Sequence, residues 1–125
     1  MTPRLFTLMA VGSSLLLAAC VAAPAPVTSA QNTDVTIVAD DLVFAPERLE
    51  IPAGESVQLH LRNDGSIVHD LVFEDGWESG LVLPGEAVTV ELGPQAASSV
   101  AWCSVPGHRD AGMELEVIVR EGGDA

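Results

Sequence analysis

From residue 34 onward the chain breaks into short runs in which apolar and polar residues take turns, separated by turn-forming residues. Over Ser56–Arg62, Val57, Leu59 and Leu61 alternate with Gln58, His60 and Arg62, the pattern of a strand with one wet face. Asp34–Ala39 sets Val35 and Ile37 on one side, and Leu49 and Ile51 flank Glu50 just before Pro52-Ala53-Gly54. Val88, Val90 and Leu92 alternate with Thr89 and Glu91, and Leu115, Val117 and Val119 alternate with Glu114, Glu116 and Arg120. Val100 and Trp102 lead into Cys103, a phase that predicts a core position for Trp102. Val68–Phe73 is more continuously apolar and predicts a deeper strand. No stretch after residue 34 carries a helical period. Seven or eight short strands at this spacing predict an all-β sandwich.

One loop of this framework is loaded with soft donors. Cys103-Ser-Val-Pro-Gly-His108-Arg-Asp-Ala-Gly-Met113 spaces a thiol, an imidazole and a thioether as Cys-x4-His-x4-Met, punctuated by proline and glycine. A second histidine, His69, stands upstream where the Val68–Phe73 run begins. Taken singly, Met113 would read as core filling, Cys103 as an inert buried thiol and His69 as a satisfied histidine. Taken together they match a copper site, because thiolate and thioether sulfur favour copper over hard cations and a Cys/His set with a weak Met is the blue-copper arrangement. The turn Pro106-Gly107 is expected to swing His108 back toward Cys103, and Gly112 to let the backbone close before Met113. His60 falls on the polar phase of its strand and reads as a surface residue. Trp77, amid Glu74-Asp-Gly-Trp-Glu-Ser-Gly80, is expected to shield the core from a loop. Asp40-Asp41 and Glu74-Asp75 read as solvated loops rather than acid/base pairs.

From about Asp34 to Arg120 the chain resembles the cupredoxins. Besides the ligand loop, the likeness covers Leu49-Glu-Ile-Pro-Ala-Gly-Glu55, the Asn63-x-Gly65 turn before His69 and the Leu83-Pro-Gly-Glu86 turn. It implies a Greek-key β-sandwich and one Cu(I)/Cu(II) ion, with His69, Cys103 and His108 as equatorial ligands and Met113 as the axial one. It also implies that His108 is the more exposed ligand, ringed by Val105, Pro106 and Ala111. One departure stands out. Many members carry Asn just after the first ligand histidine, where its side chain ties the two ligand loops together. Here the residue is Asp70, which puts that tie in question and brings a charge toward the metal.

Ahead of this region, Leu5–Ala19 is almost wholly apolar behind a single cation, Arg4. The run is shorter than the ~20 residues of a spanning helix, and its charged start, apolar middle and small-residue end predict a signal peptide over 1–19. Leu17-Ala18-Ala19-Cys20 resembles the bacterial lipobox, which implies cleavage before Cys20 and lipid on that cysteine. Residues 20–33, rich in Ala, Pro, Val, Thr and Ser without pattern, read as a lipidated start and flexible tether, and 34–125 as the copper domain. Each cysteine thus has its own use, and a disulfide would consume the thiolate. The expected location is outside the cytoplasmic membrane, in the periplasm or at the cell surface.

Eighteen acidic side chains against five arginines give a formal charge of −13, or −14 once Arg4 leaves with the leader. Nucleic acid and anionic membrane surfaces reward basic patches and are disfavoured as partners. A basic redox protein, such as a c-type cytochrome or an oxidase, suits the balance, and the acidity also serves solubility. The function expected is a monomeric, lipid-anchored one-electron carrier rather than an enzyme. A copper oxidase or nitrite reductase needs further histidines, and this chain has only His60, His69 and His108. As a subunit of such an enzyme, or as a copper chaperone or store, the chain has alternative readings. Chaperones and stores favour several exposed Met and His, whereas only Met113 among the methionines survives leader removal.

Overall fold

The computed structural model describes residues 33–122. The signal-peptide, Cys20 and tether assignments over 1–32 lie outside the described residues, as do 123–125. Thr33, assigned to the tether, already pairs with Val57.

Seven strands form the described chain: β1 (Thr33–Asp40), β2 (Val43–Ala45), β3 (Arg48–Pro52), β4 (Val57–Asn63), β5 (Ala87–Leu92), β6 (Ser99–Trp102) and β7 (Glu114–Arg120). They divide into a four-stranded sheet ordered β2-β1-β4-β5 and a three-stranded sheet ordered β3-β7-β6. The β1/β4 and β3/β7 pairs are parallel and the others antiparallel. This is the all-β Greek-key sandwich expected. Alternation places the core as read from sequence: Ile37, Leu49, Ile51, Val57, Leu59, Leu61, Leu115 and Val117 are all buried between the sheets. Burying an aliphatic side chain of this size contributes about 1.5–3 kcal/mol, so these period-2 runs are what drive the sheets together.

Two expectations change. The run Val68–Phe73 is buried as predicted, but it is no strand. Its backbone is divided among scattered partners: His69 exchanges bonds with Val82, Val72 exchanges bonds with Trp102, Leu71 accepts from Ser79, and Phe73 donates to Trp77. A segment that must aim His69 inward while its hydrogen-bond partners stand in separate places cannot run one continuous ladder. Conversely, β2 was not foreseen, because Val43–Ala45 is only three residues long and just Phe44 is buried. It pairs with β1 across the Asp41-Leu42 turn, where Asp41 takes φ 48°.

Trp102 is a correction at the level of a single residue. It is half-buried, while Ala101 and Cys103 are fully buried. On a strand successive side chains face opposite ways, so turning Cys103 inward obliges Trp102 to face out. Trp77 does cover the core, meeting Phe73 edge-on at 5.3 Å between centroids and donating its Nε1–H to Glu91 O at 3.1 Å. His60 remains on the surface, bonded through Nδ1 to Thr89 Oγ1 at 2.7 Å.

Candidate metal centre

Strand β6 ends one residue before Cys103, and β7 begins one residue after Met113, so the loop between them is held at both mouths by the β6/β7 ladder. Cys103 N donates to Met113 O and Met113 N to His108 O, both at 3.1 Å. His108 N donates back to Val105 O at 3.0 Å, closing the turn over Pro106-Gly107. Gly107 and Gly112 take φ 82° and 98°, left-handed conformations that side chains rarely adopt. Both glycines do what the spacing required of them.

His69 arrives from the long connection between β4 and β5. Asn63, buried at the end of β4, donates through Nδ2 to Ile67 O at 2.7 Å and to Val82 O at 2.9 Å, and accepts from Gly65 N at 2.9 Å. One amide thus holds both strands of the loop that presents His69. The sequence signalled the Asn63-x-Gly65 turn but not this second function, since Val82 is remote in the chain. Gly65 packs closely here: a Cβ there would stand 3.1 Å from Asp41 N and 3.3 Å from His69 Nε2, so its neighbours would have to shift by a few tenths of an ångström. That Nε2 is buried without a hydrogen-bond partner.

His69, Cys103 and His108 come together as the sequence reading required. All three are buried, and their donor atoms lie within 4.8 Å of one another. Cys103 Sγ is 3.4 Å from His108 Nδ1 and 3.9 Å from His69 Nδ1. Thiolate and imidazole bonds of about 2.3 and 2.0 Å to one ion, opened at roughly 100–130°, leave their donors about 3.3–4.0 Å apart. Both separations fall in that window, so the residues fit a single metal ion. His108 is the most exposed of the three at 9 %, against 0 % for His69 and Cys103. Met113 is also fully buried, beside the cluster in the chain.

Burial pushes the Cys103 thiol up, opposed by the backbone N–H groups of Asp70 and Val105 and reinforced by the Asp70 carboxylate. Burial, then the proximity of His108, pushes His69 down. Both shifts favour neutral groups when no cation is bound, and a metal ion would reverse the preference at sulfur.

Asp70 corrects a further expectation: the tie between the ligand loops is kept. Its Oδ1 accepts from Ser104 N at 2.6 Å, and its Oδ2 accepts from Ser104 Oγ. The neighbours of His69 and Cys103 are therefore joined directly. Ser104 escaped the sequence reading because nothing local marks it; its partner is 34 residues away.

A family model described as a cupredoxin-like domain matches residues 10–100. The chain belongs to this family. The match ends just before Cys103, so the ligand loop rests on its own geometry. Among solved cupredoxin folds, the dithionite-reduced auracyanin of Roseiflexus castenholzii superimposes with a TM-score of 0.65 at 18 % identity, covering 71 % of this chain and 98 % of that one. Auracyanin A of Chloroflexus aurantiacus, a blue copper protein, gives 0.64 at 20 % identity over 71 % and 99 % of the two chains. The chain is also 25 % identical over 120 residues to the copper-resistant cuproprotein CopI of Rubrivivax gelatinosus, spanning 78 % of this chain and 72 % of that protein. The cupredoxin fold and the His69-Cys103-His108 cluster together make this a site for one copper ion.

Proposed function

We propose that the protein is an extracytoplasmic one-electron carrier, anchored by lipid on Cys20, whose copper is held by His69, Cys103 and His108 with Met113 as a weak axial donor. The observation that carries this reading is the preassembled, buried donor set, with three ligand atoms inside 4.8 Å between the β4–β5 connection and the β6–β7 loop. Copper bound there supplies a one-electron Cu(II)/Cu(I) couple. The chain's own residues supply restraint. Cys103 is fixed by the β6 strand end and the Met113 carbonyl, His69 by the Asn63 clasp, and His108 by its turn back onto Val105. Ligands that cannot shift between oxidation states keep reorganisation small. The edge of His108, the least covered ligand, offers the exit and entry for the electron, beside exposed Pro106 and Ala111.

Copper resistance, by chaperoning or storing Cu(I), is a second reading favoured by the likeness to CopI. A visible spectrum of the purified, oxidised protein separates the two. An intense thiolate-to-copper band, reversible on reduction and lost in Cys103→Ser, supports the carrier. A colourless protein that readily surrenders Cu(I) supports the resistance reading and sinks the first.

A further inference from the structure

Asp70 is a buried carboxylate, only 6 % exposed, with no cationic side chain beside it. The four arginines of the described residues are engaged elsewhere: Arg48 with Glu116, Arg62 with Asp64, Arg109 with Glu114 and Arg120 with Glu50. Both Asp70 oxygens instead accept from Ser104, one from the backbone N–H and one from the hydroxyl. Two neutral donors orient a buried charge but do not cancel it, and buried charges are ordinarily paired. Among the described residues no arginine is left to pair with it, and the cation that remains for it is the metal. Asp70 lies next to His69 in the chain, and Ser104, which holds its carboxylate, lies next to Cys103, so the charge is fixed between the two ligand loops.

The geometry points to Asp70 as a positioning residue that serves as built-in counter-charge to the oxidised metal, holding the reduction potential down while Ser104 fixes its carboxylate. This inference rests on the copper reading above. A thiolate and two neutral imidazoles leave Cu(II) with one net positive charge and Cu(I) with none. Adding the Asp70 carboxylate makes the oxidised site neutral and the reduced site anionic. With the carboxylate largely buried, the oxidised form gains more from that charge than the reduced form does. An external donor must therefore supply its electron against the carboxylate, and the site gives the electron up more readily.

Asp70→Asn separates the charge from the tie, because an amide can still accept from Ser104 N and donate to the Ser104 hydroxyl. Ser104→Ala does the opposite: the charge stays and loses one hydrogen bond. Voltammetry of the copper-loaded proteins reads the difference. Asp70→Asn is expected to favour Cu(I) on the order of tenfold more than the parent does, a rise of 59 mV for a one-electron couple. Ser104→Ala, with a less shielded carboxylate, is expected to move the potential downward or leave it in place. An unchanged or lower potential in Asp70→Asn overturns the inference. So does a rise in both variants, which would assign the effect to a slackened tie. Should Asp70→Asn fail to fold, Ser104→Ala decides alone, a rise counting against the counter-charge. A parent protein that binds no copper would instead sink the copper reading, and the two failures are distinguishable.

Discussion

The guanidinium carbon of Arg109 lies 4.0 Å above the ring centroid of Trp102. The residue after ligand His108 is thereby stacked on the residue before ligand Cys103. Arg109 Nε also donates to Glu114 Oε1 at 2.9 Å, and Glu114 faces Trp102 in the β6/β7 register. The ligand loop is clasped from outside by a side chain that needs no contact with the metal.

Removing this clasp should loosen the loop without dismantling the fold. Exposed cation–π pairs contribute about 0.5–1 kcal/mol, and an exposed ion pair adds little to that. Arg109→Ala is therefore expected to cost about 1 kcal/mol of stability. If that loss falls on the loaded loop, copper should leave roughly fivefold faster, measured by chelator competition. Arg109→Lys should recover only part of the effect, because an ammonium cannot stack flat on an indole. A dissociation rate unchanged in Arg109→Ala would show that the turn hydrogen bonds hold the loop unaided.

Much of the architecture was legible because period-2 patterning is enforced residue by residue: Val57, Leu59 and Leu61 have nowhere else to go once Gln58, His60 and Arg62 face water. The clustered donors were legible for a similar reason, since Cys103 and His108 lie within one loop. What escaped depends on partners distant in the chain. Asn63 bonding Val82, Asp70 bonding Ser104 and Arg109 covering Trp102 leave no local pattern. The Val68–Phe73 run misled because apolar composition reports burial, whereas strand pairing depends on where hydrogen-bond partners happen to stand.

Met113 is fully buried and bonded through its backbone to both Cys103 and His108. Met113→Leu nearly conserves volume, so the core should lose less than about 1.5 kcal/mol. If the thioether is the axial donor, the variant should keep its copper and colour while its reduction potential rises, because a weak donor favouring Cu(II) is gone and the site is drier. An unchanged or lower potential on voltammetry would place the sulfur away from the metal.

In the metal-free protein, burial and the nearby His108 hold His69 below its ordinary value of 6.5. A depressed folded-state value means that the unfolded chain takes up the proton first. The stability this residue contributes is therefore complete above about pH 6.5 and is lost as pH falls through the folded-state value. The melting temperature of the metal-free protein is expected to drop on acidification through this range, and His69→Gln to flatten that part of the profile. Equal acid sensitivity in both proteins would assign the loss to other groups.

The lipid anchor is tested at the mature N-terminus. Leu17-Ala18-Ala19-Cys20 behind the apolar run predicts a mass-shifted, acylated Cys20, and Cys20→Ser is expected to release or mislocalise the domain. An unmodified mature start at Val21 or beyond would exclude it.

The last prediction concerns docking. The formal charge of −13, or −14 if the leader is cleaved as the sequence predicts, is expected to steer a basic redox protein toward this small domain. Close contact is expected over His108, where Pro106 and Ala111 are exposed and Val105 is half-buried, an apolar surface that costs little to desolvate. Arg109 does not spoil that surface, since its charge is drawn back onto Trp102 and Glu114. Steering requires an association rate that falls as salt screens the charge, over a Debye length of about 10 Å at 0.1 M. Docking at the copper end requires that Pro106→Glu or Ala111→Glu slow electron transfer even at high salt. The two effects are separable because one acts on encounter and the other on the contact itself. A rate indifferent to both salt and substitution would move the partner to another face and leave the acidity to solubility alone.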